Sequence, residues 1–218
     1  MPPLVYESTT KTLWRRPARR FDAWDWAWRD DPSLRADRSR FDAMEPLEPL
    51  AALRHVLASG SARLLPVGVI GPREASTDEA TLAEALGLAL AELGFPVLCG
   101  GKSGVMEAVC KGVARGDGLS IGLLPDEDWR AGNAHVAMPL ATGIGRARNV
   151  VIAHAAIALI AVGGRYGTMT EAAFGLHFDK PVIGLGDAPD LPDLKRVADV
   201  DAAIKTLAET LLIDAALS

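Results

Sequence analysis

Cysteine is scarce in this 218-residue chain, which carries only Cys99 and Cys110. With no third Cys or His at ligand spacing, the pair fits neither a disulfide framework nor a zinc set, and both read as reduced thiols of a cytoplasmic protein. Histidine is equally sparse: His55, His135, His154 and His177 are scattered, with no HExxH pair to place two imidazoles on one helical face, so no structural metal is expected. No apolar run reaches the roughly 18 to 20 residues that a spanning helix needs, which argues against a membrane protein. An excess of positive charge is missing too. With 23 Lys and Arg against 28 Asp and Glu, the net charge of −5 gives no broad cationic field for nucleic-acid phosphates. The "RRPARR" at Arg15 to Arg20 is followed by acidic residues rather than an apolar segment, which argues against an export signal.

Two phosphate-binding signatures are also absent. "GGKSG" at residues 100–104 sets a lysine beside a serine without the G-x-x-x-x-G-K-[ST] spacing of ATP-hydrolysing proteins. No G-x-G-x-x-G follows the first strand, so a nicotinamide dehydrogenase is not indicated.

What is present falls into two textures. Residues 1–45 hold four of the five tryptophans (Trp14, Trp24, Trp26, Trp28) and nine Arg and Lys against eight Asp and Glu, with little aliphatic content, and read as an N-terminal arm. Trp24, Trp26 and Trp28 alternate, so an extended chain would project them to one side, against the domain or a partner. Residues 46–218 form the domain, and from Leu64 short apolar runs alternate with amphipathic segments, the pattern of strand-helix units and a parallel sheet.

"LLPVGVIG" (64–71), "FPVLCG", "LSIGLLP", "AIALIAV" and a final "KPVIGLG" read as buried strands, with "HVAMPL" a short additional one. Helices are expected over Thr77–Leu93, stopped by Gly94, over Ser103–Ala114, over "GRARNVVIAHA", over "GTMTEAAFGLHF", and from about Val200 to Ala216, with "DEDWRAGN" a loop. The fold class is therefore α/β: a Rossmann-like open parallel sheet with helices on both faces, plus the N-terminal arm.

Three strands run into glycine-bearing turns: "VIGPRE" (69–74), "CGGKSGVMEA" (99–108) and "VGGRYGTMTEA" (162–172). In an open parallel sheet such turns lie along the carboxyl edge of the strands, where ligands bind. Glycine lets backbone N–H groups approach closely, and the helix behind each turn adds partial positive charge, so together they suit a phosphate. "TGIGRARN" (142–149) adds Arg146 and Arg148 at another helix start, where guanidinium can grip phosphate bidentately. The expected ligand-binding residues are Gly71, Gly101, Ser103, Gly104, Thr142, Gly143, Asn149, Gly163, Gly164, Arg165, Gly167 and Thr168. Arg148 stands 23 residues before Glu171 with one helix and one strand between, a spacing that returns both to the same edge if those elements pack side by side. Glu171, placed in the first turn of its helix, is expected to keep a low pKa.

"TGIGRARNVVIAHAAIALIAVGGRYGTMTEAAFGLHFDKPVIGL" together with "CGGKSGVMEAVCKGVARGDGLSIGLLP" resembles the LOG (Lonely Guy) superfamily of nucleotide-binding Rossmann-like proteins, nearest its molybdenum-cofactor-carrier-like branch, over about residues 64–186. The resemblance implies a hydrolase that cleaves the N-glycosidic bond of a nucleoside 5′-monophosphate to free base and ribose 5-phosphate, with Arg148 and Glu171 as the catalytic pair. It leaves open a non-catalytic carrier of a nucleotide or a molybdopterin-type ligand. No cofactor is required for either, and a homodimer or higher homo-oligomer is implied. The family's P-G-G-x-G-T-x-x-E motif, laid over this chain, puts its proline on Gly163 and its second glycine on Arg165, and the usual Met-His before the arginine is replaced by Arg146-Ala147.

Overall fold

The computed structural model describes residues 4–15, 19–32 and 44–214. It comprises two compact units, one running from Leu64 to Thr206 and the other made of the residues up to Arg63 together with those from Leu207 onward.

The smaller unit is an antiparallel sheet. Strands β1 (Leu4–Glu7), β2 (Thr12–Arg15), β3 (Arg19–Asp22), β4 (Ala27–Asp30) and the short β5 (Pro46–Leu47) stand in the order β4-β3-β2-β1-β5, followed by helix α1 (Pro49–Ala58). Its tryptophans do not project to one side as the alternation predicts. A turn separates β3 from β4, Trp26 takes a φ of 51° within it, and the period-two rule holds only inside a strand. Trp24 is consequently 59% exposed while Trp26 and Trp28 are 2% and 8% exposed. Phe21 meets both buried indoles edge-on, with ring centroids 5.9 Å and 5.1 Å away. The Trp26 indole donates to the Arg63 carbonyl at 2.8 Å and that of Trp28 to the Leu212 carbonyl at 2.9 Å, so neither buried N–H is left unsatisfied. These bonds, and the pairing of β5 with β1, explain why the unit runs past the expected boundary at residue 45 and takes in the C-terminal residues. Residues 33–43 of the expected arm, 16–18 of "RRPARR", and 215–216 of the last helix lie outside the described residues.

The larger unit contains seven parallel strands: β6 (Val67–Ile70), β7 (Val97–Cys99), β8 (Ser120–Leu124), β9 (Met138–Ala141), β10 (Ala158–Val162), β11 (Val182–Leu185) and β12 (Lys195–Val197), in the order β12-β11-β10-β6-β7-β8-β9. β12 is missed by the sequence reading, which ends the sheet at "KPVIGLG". It is three residues long, "KRV", two of them charged, and at the sheet edge, so it lacks the buried apolar run that marks a strand. β6, β10 and β11 are buried along their whole length, as a sheet covered on both faces requires.

Helices α2 (Thr77–Leu93), α3 (Val105–Arg115), α4 (Arg148–Ala155), α5 (Tyr166–His177) and α6 (Val200–Glu209) follow the strands, and a π turn over Thr210–Asp214 continues α6. α2 has the expected limits. Ser76 accepts from the Glu79 N–H while the Glu79 carboxylate accepts from the Ser76 N–H, and Gly94 ends the helix at φ 93°. "DEDWRAGN" is a loop broken by one 3-10 turn, Trp129–Ala131.

α2 packs on α3, and α4 packs on α5. Right-handed crossovers send the chain outward from β6 through α2 to β7, and outward from β10 through α5 to β11, which places these helix pairs on opposite faces. The direction reverses between β6 and β10, so the crevice of the sheet opens at their carboxyl ends. Ile70, Leu98, Leu123, Ile152, Leu159 and Val182 belong to the core beneath it.

The α2–α3 contact is a backbone approach: a Cβ on Gly112 would strike the Glu84 carbonyl, and one on Gly87 would strike that of Val109. Gly112→Ala is expected to lower stability by about 1–3 kcal/mol, as overpacking does even after the gain in helix propensity, and urea unfolding at unchanged m-value checks it.

Candidate functional site

The crevice at the switch point holds a cavity of about 390 Å³, lined by the ends of β6 and by residues of the following turns. Its floor is an ion pair. Arg148, the first residue of α4, donates from Nη1 to Oε1 of Glu171 on α5 at 2.8 Å, and the two side chains are 7% and 8% exposed. The packing of α4 on α5 brings together residues 23 apart in the chain, as the spacing predicts.

Room for the guanidinium comes from Gly100, where a Cβ would collide with Arg148 Nη2. That atom also lies 3.9 Å from the Met106 sulfur. Arg148 Nε is buried with no hydrogen-bond partner, a donor unsatisfied by any group of the described residues. Gly100 and Met106 both line the cavity, and the sequence reading passed over both, because what matters at Gly100 is the arginine packed against it and not any motif.

Glu171 departs from the expected low pKa. Burial pushes its carboxyl up to about 7, and the charge and hydrogen bond of Arg148 only partly oppose the shift. It is the sixth residue of α5, a turn beyond the helix start where the dipole favours an anion, and desolvation outweighs both attractions.

Of the expected ligand-binding residues, Gly71, Asn149, Arg165, Gly167 and Thr168 line the cavity with Arg148 and Glu171. Gly101, Ser103, Gly104, Thr142, Gly143, Gly163 and Gly164 do not line it, and most of them hold the turns in place. Ser103 Oγ donates to the Arg73 carbonyl at 3.2 Å, the N–H of Val105 donates to the Pro72 carbonyl at 3.1 Å, and a Cβ on Gly104 would strike both of those carbonyls. The second turn thus leans on the first. Gly101 packs against Leu124 and Gly122, while Thr142 Oγ1 donates to the Leu124 carbonyl at 2.7 Å and the Gly143 N–H to that of Asp126 at 3.0 Å. Lys102 is likewise committed, donating to Asp126 at 3.0 Å and to the Ala131 carbonyl at 2.7 Å.

Gly163 has a φ of 57° and Gly164 a φ of 114°. Proline is locked near −65°, so the proline of the resembled motif cannot stand at residue 163 in this turn. A Cβ there would also meet the Glu79 carboxylate, and one on Gly164 would meet Thr168.

Three further arginines surround the cavity: Arg73 after β6, Arg146 in the 3-10 turn before α4, and Arg165 at the start of α5. All three are exposed and none makes a side-chain hydrogen bond or ion pair among the described residues, although the charge of Arg73 reaches Asp126. The lining therefore carries four guanidinium groups against one carboxylate. Asp126 and Glu84 are paired elsewhere, and no group of three or more His, Cys, Asp and Glu able to hold a metal occurs among the described residues.

A family model, the SLOG cluster4 family, matches residues 64–211. The chain belongs to that family. The matched stretch includes the whole cavity lining. An uncharacterized protein of Archaeoglobus fulgidus is 40% identical over 123 residues, 56% of this chain and 81% of that protein. The molybdenum cofactor binding protein of Rippkaea orientalis is 30% identical in a superposition with a TM-score of 0.65, covering 68% of this chain and 98% of that one. The molybdenum cofactor carrier protein of Chlamydomonas reinhardtii is 33% identical with a TM-score of 0.63, covering 69% and 99%. No helix among the described residues is long and apolar enough to cross a membrane.

Cys99, at the end of β7, and Cys110, on α3, have sulfurs 3.6 Å apart although nothing in their spacing shows it. Both are buried free thiols, and the hydrogen bond between them together with burial pushes Cys99 up.

Since the Glu171 carboxyl rises on folding, the native protein binds more protons than the unfolded chain between about 4.5 and about 7. Its contribution to stability is full below 4.5 and is lost as pH rises through 7, by at most about 3 kcal/mol. Denaturant melts at a series of pH values are expected to show that decline in the native protein and its disappearance in Glu171→Gln.

Proposed function

We propose that this protein binds a phosphate-bearing small molecule, of the nucleotide or molybdenum-cofactor type, and holds it without turnover. The observation that carries the reading is the unmatched positive lining: Arg73, Arg146 and Arg165 face the cavity unpaired, and the buried Nε of Arg148 lacks an acceptor. A guanidinium without a partner beside a helix start offers a phosphate charge-assisted donors and loses little in meeting it. The carboxylate of Glu171, by contrast, is turned onto Arg148 and nearly closed to solvent. Relatives described as binding or carrying molybdenum cofactor support the same reading. For such a cargo the residues fit: the arginines would hold its phosphate, and no step of chemistry is asked of them.

Hydrolysis of a nucleoside 5′-monophosphate is the second reading, and one observation favours it. A carboxyl near pH 7 can hold or release a proton under neutral conditions, which suits protonation of a leaving base while Arg148 keeps the side chain in place. Self-association fits either reading. Exposed Ile144, Val151, Tyr166 and Met169, on and beside α4 and α5, supply apolar surface for the pairing of copies that the resemblance implies.

Native mass spectrometry of the protein as isolated is expected to show a phosphate-bearing ligand that leaves on denaturation. Arg146→Ala is expected to carry at least tenfold less of it, each charge-assisted contact being worth about 1.5–3 kcal/mol. Release of free base from adenosine monophosphate by the native chain but not by Glu171→Gln would instead establish the hydrolase.

A further inference from the structure

Beside the first cavity lies a second, of about 590 Å³, and the two share Pro72, Arg73 and Arg165. Two unpaired guanidinium groups therefore stand on the divide. The chemistry on either side of it differs. The first cavity continues into Arg146, Arg148 and the start of α5, all favourable to an anion. The second continues into Glu74, Ser76, Glu79 and Asp187, with no other cation in its lining. Glu79 is already engaged, accepting from the Ser76 N–H at 2.8 Å, while Glu74 and Asp187 are exposed and unpaired among the described residues.

A terminal phosphate placed in that second cavity would face three carboxylates and be repelled. Hydroxyl groups would not, because an ionised carboxylate is an acceptor with room for several donors. The lining thus changes from anion-seeking, through a pair of arginines, to donor-seeking.

We propose that the two cavities hold one two-ended ligand: a nucleoside joined through a diphosphate to a sugar, with the diphosphate across Arg73 and Arg165 and the sugar hydroxyls on Asp187 and Glu74. The nucleoside end occupies the first cavity, whose lining includes Gly71, Asn149 and Gly167. Arg165, which replaces a glycine of the resembled motif and lines both cavities, then sets specificity by adding a grip for the second phosphate. The inference rests on the reading that the first cavity binds phosphate.

Titration calorimetry of the full chain with four probes tests it: adenosine monophosphate, ADP-glucose, uridine monophosphate and UDP-glucose. At least one sugar diphosphate is expected to bind about tenfold or more tightly than the monophosphate of the same base. Arg73→Ala and Arg165→Ala, both at exposed positions and checked for folding by circular dichroism, are each expected to narrow that gap, weakening the sugar diphosphate about tenfold more than the monophosphate. Asp187→Ala is expected to weaken the sugar diphosphate and leave ADP unchanged. A monophosphate bound as tightly as its sugar diphosphate, or ADP bound as tightly as ADP-glucose, would overturn the two-ended ligand while the phosphate reading stands. Failure of all four probes to bind would overturn the two-ended ligand, and the phosphate reading falls as well only if native mass spectrometry also finds no phosphate-bearing ligand.

Discussion

The contact between Arg148 and Glu171 is the constraint around which the larger unit is arranged. Burying two charges costs several kcal/mol each, and their attraction repays it only when geometry and neighbours cooperate. The fold meets those demands locally: α4 and α5 pack side by side, Gly100 leaves out the side chain that would displace the guanidinium, and one short bond joins the two groups. It does not meet them fully. Arg148 Nε is orphaned, and the carboxyl of Glu171 rises to about 7 because burial outweighs its partner. A buried pair in which desolvation outweighs the attraction at Glu171 is understandable as a positioned charge beside a cavity, with the sheet edge holding it there.

Around that pair the glycine turns divide their work. Some leave room: Gly100 for the arginine, Gly164 for Thr168, Gly163 for Glu79. Others tie turn to turn, as Ser103 and Gly104 do against Pro72 and Arg73. The cations that remain free stand where the chain departs from the resembled motif, at Arg146 and Arg165, together with Arg73. The replacement of proline by Gly163 belongs to the same change, since the turn it makes has a φ of 57° that proline cannot adopt. Solved structures described as molybdenum cofactor proteins superpose on about two thirds of this chain, so the overall fold is common to them.

The tryptophan-rich residues lie largely outside the stretch matched by the family model, which begins at residue 64. They build a unit with its own sheet and core, in which Trp26 and Trp28 are buried and bonded through their indole nitrogens. Described residues from Leu207 to Asp214 belong to this smaller unit, where the Leu212 carbonyl accepts from Trp28.

The sequence by itself determined the α/β class, the strand-helix alternation, the limits of α2 and the return of Arg148 to Glu171, because these follow from periodicity, caps and spacing that neighbouring residues specify. Tertiary structure alone decided the rest. The edge strand Lys195–Val197 has no apolar run, the separation of Trp24 from Trp26 and Trp28 arises at a turn, and the meeting of Cys99 with Cys110 requires a strand to lie against a helix. The same holds at the site. Which glycines open onto the cavity, which lysine is already spent on Asp126, and whether Glu171 is an ordinary acid all depend on what surrounds a residue in space. Desolvation and collision are properties of packed neighbours, and a linear chain does not yet have them.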